Sequence, residues 1–444
     1  MADINELSSS GSVKIAGAST SGAETGFIGN TLDRLNVIST FDKNSITTDS
    51  TGVLRVNSTK QIFGYYFNQT LHPLSMRNKV ENGATLTLDT AASSAVLTAT
   101  PTSGSRAQFE SKFVTRYTLG RSHFTTLSVT PGTGQVGYTK LWGYFSDTNG
   151  YFFKHVGGES EIRLGFRTNS TGVTGIDIPQ SQWNLDKCDG TGKSGFNLNR
   201  AKSAVYIIEY TWHGNGVVRW GIQYNKDIIF VHEILADNTS DNTLTRNPSQ
   251  PVKFECFRDG NGTPVTEEIF KIHALSANVI YSGPLEATYK FSTSRGVSPV
   301  TIQSNIYKPL ISIRPSLLFN GRINRSLIAP TYVRFYAQAS PLHIQIVENA
   351  TLTGASWGSA AFASSVERDI SATAFTGGNV IFEDYIGQDV AQEFDLARNS
   401  SPEIESFVLG LSVDGTVADS LTVVARSLTN NSDGYASIYW GEYQ

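Results

Sequence analysis

The sequence predicts an all-β protein, and three observations carry that prediction. Apolar and polar side chains alternate with period 2 in many short runs, turn dipeptides close those runs, and the composition is short of helix formers. Charged residues make up only 17% of the 444 residues, and Ser, Thr, Asn and 40 glycines fill the deficit, which suits turns and strand faces rather than helices. A chain of this length can bury two or three separate cores.

Residues 1–60 are rich in Ser, Gly, Thr and Asn, with short apolar patches such as Val13-Lys14-Ile15 and Leu35-Asn36-Val37-Ile38. Such patches bury little surface alone, so an extended amino-terminal docking arm that adds strands to a partner is expected. Residues 61–288 read as a jelly-roll-like β-sandwich. Ala84-Thr85-Leu86-Thr87-Leu88 alternates after the turn pair Asn82-Gly83, and residues 141–145 and 151–153 flank a polar hairpin turn. Residues 205–235 form a meander in which Val218, Trp220, Ile222 and Tyr224 share one face. Residues 289–444 supply a second β domain, with strands around Leu310-Ile311, Val333-Arg334-Phe335, Ile344-Gln345-Ile346 and Val423-Val424. Residues 360–365 are expected to make one short helical turn.

The net charge of −4 and the scattered Lys and Arg argue against nucleic acid as a partner. Cys188 and Cys256 form no CxxC pair, so two free thiols are expected. The first residues lack the basic start and apolar core of a signal peptide, and no apolar run reaches the ~20 residues of a spanning helix. Synthesis in a reducing cytoplasm without export or membrane insertion is the expectation.

The motifs that resemble chemistry each lack their context. Gly354-Ala355-Ser356-Trp357-Gly358 matches a nucleophile elbow, but no βαβ alternation surrounds Ser356. Gly190-Thr191-Gly192-Lys193-Ser194-Gly195 approaches a phosphate loop, yet Lys187 stands where that pattern requires glycine. Asp186 and Asp189, and the turn Asp259-Gly260-Asn261-Gly262, leave calcium open as an alternative to plain Asp-Gly turns. Glu159 with Glu161, and Glu403 with Glu405, read as same-face strand carboxylates rather than a glycosidase pair. His72, His123, His155, His213, His232, His273 and His343 form no ligand spacing. Trp142, Trp183, Trp212 and Trp357 suit either a core or a sugar-stacking surface. The expectation is no catalytic residue, no cofactor, no metal and no enzyme activity.

The block Pro179-Gln180-Ser181-Gln182-Trp183-Asn184-Leu185-Asp186-Lys187, with Asp189-Gly190-Thr191-Gly192 and Ser194-Gly195, resembles virion proteins of tailed bacteriophages, tail and fibre components among them. The resemblance continues through residues 204–210, Trp212, Gly214, Gly216-Val217-Val218-Arg219 and residues 229–232, and includes the hairpin of residues 143–150. It also takes in the opening Val13-Lys14-Ile15-Ala16-Gly17-Ala18 and, loosely, residues 307–313. It implies a structural virion subunit, on the tail, baseplate, fibre or capsid surface, expected as a homo-oligomer that meets other virion proteins through its arm. The Trp-x-Gly-x-Gly-x-Val strand pair is similar to concanavalin-like sandwiches, many of which bind glycans. The alternative function is therefore a glycan-binding host-attachment module, with depolymerase activity as its extension.

Overall fold

The structure is a computed structural model that describes residues 59–115, 117, 121–168, 175–212, 216–236, 243–280, 289–396 and 408–443. Residues 1–58 of the expected arm, the turn at His213 and the pair Glu403 and Glu405 lie outside the described residues, and Thr59 and Lys60 of the arm begin a strand of the first sandwich.

The fold is all-β, of the jelly-roll and concanavalin-like sandwich class, and its named strand pairings are antiparallel. One sheet runs in the order Asp227–Leu235, Val217–Tyr224, Ala204–Thr211, His123–Thr130, Glu268–Ile280, Ser94–Ala99, Thr85–Asp89. The long strand Glu268–Ile280 has room for two neighbours on its free edge. Ser94–Ala99 takes its first half and Thr59–Tyr66 its second. The facing sheet runs Asp177–Pro179, Arg163–Arg167, Gly150–Val156, Tyr138–Phe145, Gln250–Arg258, Arg106–Thr115, Met76–Glu81. Asn82 and Gly83, with φ of 50° and 80°, carry the chain from Met76–Glu81 across to Thr85–Asp89 in the other sheet. That conformation is open to Asn and Gly because neither pays the usual Cβ penalty in full.

The meander of residues 204–235 is present as three adjacent strands. Val218, Trp220 and Ile222 are fully buried as the alternation requires, while Tyr224 at the strand end is exposed and stacks on Phe196 at 4.2 Å. Between the sheets lies one apolar cluster built around Trp142, Phe153, Tyr206, Trp220, Phe254 and Phe270. Burying each such side chain contributes about 1.5–3 kcal/mol, so this layer dominates the folding of the unit.

A second apolar cluster spans residues 302–440 and lies between two further sheets. The five-stranded sheet includes Tyr289–Ser294, Ser432–Tyr443, Leu327–Ala337 and Val390–Asp395, with Val300–Ile302 also paired to Ser432–Tyr443. The six-stranded sheet runs Gly358–Ser359, Val366–Asp369, Lys308–Pro315, Leu421–Ser427, Leu342–Glu348, Asn379–Ile386. Residues 360–365 form a hydrogen-bonded turn and no helix, because Ser364 and Ser365 bond the buried Glu442 carboxylate rather than continuing a helical ladder. Among the described residues the one helical element is the 3₁₀ turn Gln180–Gln182.

The two sandwiches meet through both apolar and charged contacts. Phe113 of the first packs on Leu327, Ala329 and Val408 of the second, and Leu74 packs on the second core. Beside them Lys112 pairs with Glu348 and Asp419, and Lys79 with Asp414.

Candidate functional site

Phe63 and Phe67 fix the strand Thr59–Tyr66 and the turn after it. Phe63 stacks on Phe113 at 5.8 Å, and the fully buried Phe67 ring meets Phe109 at 5.5 Å. With its neighbour anchored inward, Tyr66 is left 68% exposed at the strand end. The Tyr65 hydroxyl then organises the loop: it donates to the Thr70 carbonyl and accepts the His72 N–H, each at 2.8 Å. His72 Nδ1 accepts the Leu74 N–H at 3.2 Å, and its carbonyl accepts from Ser75 and Met76.

This braced loop forms one wall of an open cavity of about 520 Å³ between the sandwiches. Tyr65, Tyr66, Asn68, Gln69 and His72 come from the first sandwich, and Ile381, Phe382 and Asp395 from the second. Asn68, Gln69, Thr70, His72 and Asp395 are exposed, so amide, hydroxyl and carboxylate groups stand beside aromatic faces. Stacking rings with a few placed polar groups is the chemistry that holds a small polar ligand with apolar faces. Of these residues the sequence marks only His72, as one of seven dispersed histidines without ligand spacing. The available signal was a polar Asn-Gln-Thr run directly after the aromatic run of residues 63–67.

The residues that were singled out from the sequence do other things. Ser356 sits in a loop whose N–H donates to Asp369 at 2.7 Å, and Asp369 also receives the N–H groups of Ser371 and Ala372. Trp357 is covered by the Arg314 guanidinium at 4.2 Å from the ring centre. Trp142, Trp183 and Trp220 are core residues, and Trp212 donates its indole N–H to the Thr245 carbonyl.

In the glycine-rich loop, Asp186 accepts the N–H of Cys188 at 2.9 Å and of Ser194 at 2.8 Å. Asp189 closes its own turn on Thr191, and Asp259 does the same on Asn261. These carboxylates organise backbone, and among the described residues no group of three or more His, Cys, Asp or Glu could hold a metal ion. Glu159 and Glu161 lie in the turn before Arg163–Arg167 rather than on a strand. Glu159 pairs with Arg163 at 2.6 Å, and Glu161 accepts from Ser181 at 3.0 Å.

The histidines are dispersed. Burial pushes His123 down to about 3 and His232 to about 4, and burial with the Lys140 and Arg200 charges takes His155 to about 4. Each of the three is therefore neutral near pH 7. His273 contacts Thr130, and His343 contacts Tyr307.

One carboxylate pair went unread in the sequence. On the outer face of the seven-stranded sheet, Lys253 stands between Glu110 at 3.7 Å and Glu255 at 2.8 Å, with all three buried. Arg106 and Gln108 also reach Glu255, each at 2.8 Å. Burial pushes the Glu255 carboxyl up, but the Lys253, Arg106 and Arg167 charges outweigh it and hold the group at about 2. With an ammonium between these carboxylates and Glu255 ionised, this pair does not have the acid-and-base division that sugar cleavage uses.

No protein-family model matches the sequence, and no curated protein matches it. The expectation of a protein without enzyme activity rested on linear motifs, which do not register carboxylates brought together from separate strands. Solved structures named as glucanases overturn that expectation, and it is withdrawn. The chain is similar to a β-glucanase of Bacillus licheniformis, at 10% identity and TM-score 0.33 over 50% of this chain and 98% of that one. It is similar to a β-1,3-glucanase of Mycobacterium marinum, at 12% identity and TM-score 0.33 over 49% and 98%. It is also similar to the carbohydrate recognition domain of Emp47p, at 11% identity and TM-score 0.29 over 49% and 93%.

Proposed function

We propose that the protein binds carbohydrate, with the cleft between its sandwiches as the site, and that it serves attachment to a glycan-bearing surface. The observation that carries this reading is the placing of Tyr66 and Tyr65 beside Asn68, Gln69 and Asp395 around an open cavity of about 520 Å³. A sugar ring offers one apolar face to an aromatic side chain and a rim of hydroxyls to amides and carboxylates. The loop is already hydrogen-bonded through Tyr65, so little ordering entropy opposes binding. A screen of the full chain against surface polysaccharides and oligosaccharides tests the reading, with Tyr66→Ala and Asp395→Asn as controls. Binding that both variants weaken supports it, and silence across the panel sinks it.

A second reading is that the chain is a structural component of a tailed-phage particle, docked through residues 1–60. Its support is the resemblance of residues 143–232. Several residues that carry that resemblance are structural: Trp183, Tyr206 and Tyr210 are buried, and Gly192 lies against the Asp186 carboxylate. Particle imaging with the subunit labelled tests it, and purified particles that lack the chain would exclude it.

A further inference from the structure

Alternation in the second sandwich places large aromatic side chains on the face turned away from its core. In Leu327–Ala337, Val333, Phe335 and Ala337 point into the core, which leaves Tyr332, Arg334 and Tyr336 on the other side. In Ser432–Tyr443 the core takes Ala436, Ile438 and Trp440, which leaves Tyr435, Ser437 and Tyr439 outside. The register puts Tyr332 opposite Tyr439 and Tyr336 opposite Tyr435. The first pair is stacked at 4.3 Å, and the second is tilted at 6.0 Å. The two pairs are four positions apart along the strand, a distance of about 13 Å.

Between the pairs, Arg334 bonds Glu393 at 2.6 Å and lies 5.5 Å from the Tyr439 ring centre. Arg334 and Glu393 neutralise one another, and Ser437 sits beside them in register. The face thus offers two aromatic stops with hydrogen-bonding groups and a neutralised ion pair between them. Tyr332 is also the cross-strand partner of Asp395, which lines the cleft between the sandwiches. Cleft and tyrosine face therefore form one continuous surface.

We infer that this face is a second carbohydrate subsite, which extends the cleft into a track for a linear, uncharged polysaccharide. The inference rests on the proposed carbohydrate reading and names its ligand class. Two stacking positions about 13 Å apart suit a polymer that spans several sugar rings and are of no use to a monosaccharide. The paired Arg334 and Glu393 give no advantage to an anionic chain.

The test is affinity electrophoresis of the full chain in gels containing hydroxyethyl cellulose, laminarin or galactomannan, with polygalacturonate as the anionic control. Calorimetry with disaccharides and hexasaccharides of the retarding polymer completes it. Tyr336→Ala/Tyr435→Ala is expected to weaken polymer and hexasaccharide binding at least tenfold and to leave disaccharide binding unchanged. Tyr66→Ala is expected to weaken all three. If the double variant does not fold, the single Tyr336→Ser, at an exposed ring, replaces it. Wild-type polymer affinity in the tyrosine variants, with loss in Tyr66→Ala, overturns the track and leaves the cleft standing. Loss in the tyrosine variants with none in Tyr66→Ala keeps the face and removes the cleft. No retardation by any neutral polymer, or a change of oligomeric state in ultracentrifugation as the sole effect of the variants, overturns the track.

Discussion

Lys112 of the first sandwich donates to Glu348 of the second at 2.8 Å, with both side chains buried and Asp419 a further 3.4 Å from the same ammonium. A buried ion pair contributes little net stability, but removing one partner leaves a desolvated charge and costs about 3–5 kcal/mol. Lys112→Met is therefore expected to destabilise the protein by about that amount, while Lys112→Met/Glu348→Leu recovers most of it. Urea unfolding followed by tryptophan fluorescence checks this. The single variant should also separate one transition into two, because the pair joins the sandwiches.

Acid should destabilise the fold well before the carboxylates titrate. His123, His155 and His232 have folded values of about 3, 4 and 4 against an ordinary 6.5, with burial the main cause. The unfolded chain binds these protons first, so their contribution is complete above pH 6.5 and is lost as pH falls towards 4. Each unit of difference corresponds to about 1.4 kcal/mol per group, so the loss amounts to several kcal/mol. Below that range Glu255, held at about 2, adds to it. His123→Phe keeps a ring between Tyr117 and Tyr210, at 4.7 and 5.3 Å, while it removes one proton site. Its urea midpoint should fall less steeply between pH 6.5 and 4 than that of the wild type, and an unchanged slope would refute the assignment.

The loop that looks like a calcium or phosphate site should behave as a backbone device. A Cβ at Gly192 would lie 2.1 Å from Asp186 Oδ1, so the loop closes onto its own carboxylate. Asp186→Ala frees the buried N–H of Cys188 and the part-buried N–H of Ser194 and should cost about 1–3 kcal/mol. Gly192→Ala should destabilise through the clash. Thermal melts with and without 5–10 equivalents of calcium (roughly saturating for a tight site) check this. Wild-type stabilisation by calcium that Asp186→Ala abolishes would restore the metal reading.

Strands were legible where apolar side chains recur at every second position, as in Val218, Trp220 and Ile222, although the alternate residues Arg219 and Gly221 are buried as well. There the period-2 pattern follows directly from the pleat. The candidate site was not legible, because its parts lie far apart in the chain. Tyr66 and Asp395 meet only through the docking of two sandwiches. Glu110 joins Lys253 and Glu255, which share one face of their own strand, only through the register of the neighbouring strand. The tyrosine face did leave a trace: Tyr332, Arg334 and Tyr336 alternate with Val333 and Phe335, so aromatics occupy the wet phase as well as the dry one. Large rings in the wet phase are the pattern that separates a recognition surface from a plain solvated strand.

The two thiols should report on opening of the first sandwich alone. Cys188 and Cys256 are both free and fully buried, and both belong to the first apolar cluster. Burial pushes the Cys256 thiol up to about 12 and raises Cys188 further, so the reactive thiolate is scarce even when a reagent arrives. In native buffer a disulfide reagent should modify neither thiol on the timescale of minutes, and both after unfolding in urea. Because the second sandwich has no cysteine, labelling isolates one unit from the other. If the Lys112–Glu348 pair couples them, Lys112→Met should speed labelling by about the factor its loss of stability predicts, tenfold for each 1.4 kcal/mol felt by the first sandwich. Unchanged labelling alongside a lowered urea midpoint would place the whole loss in the second sandwich and show that the pair stabilises one side only.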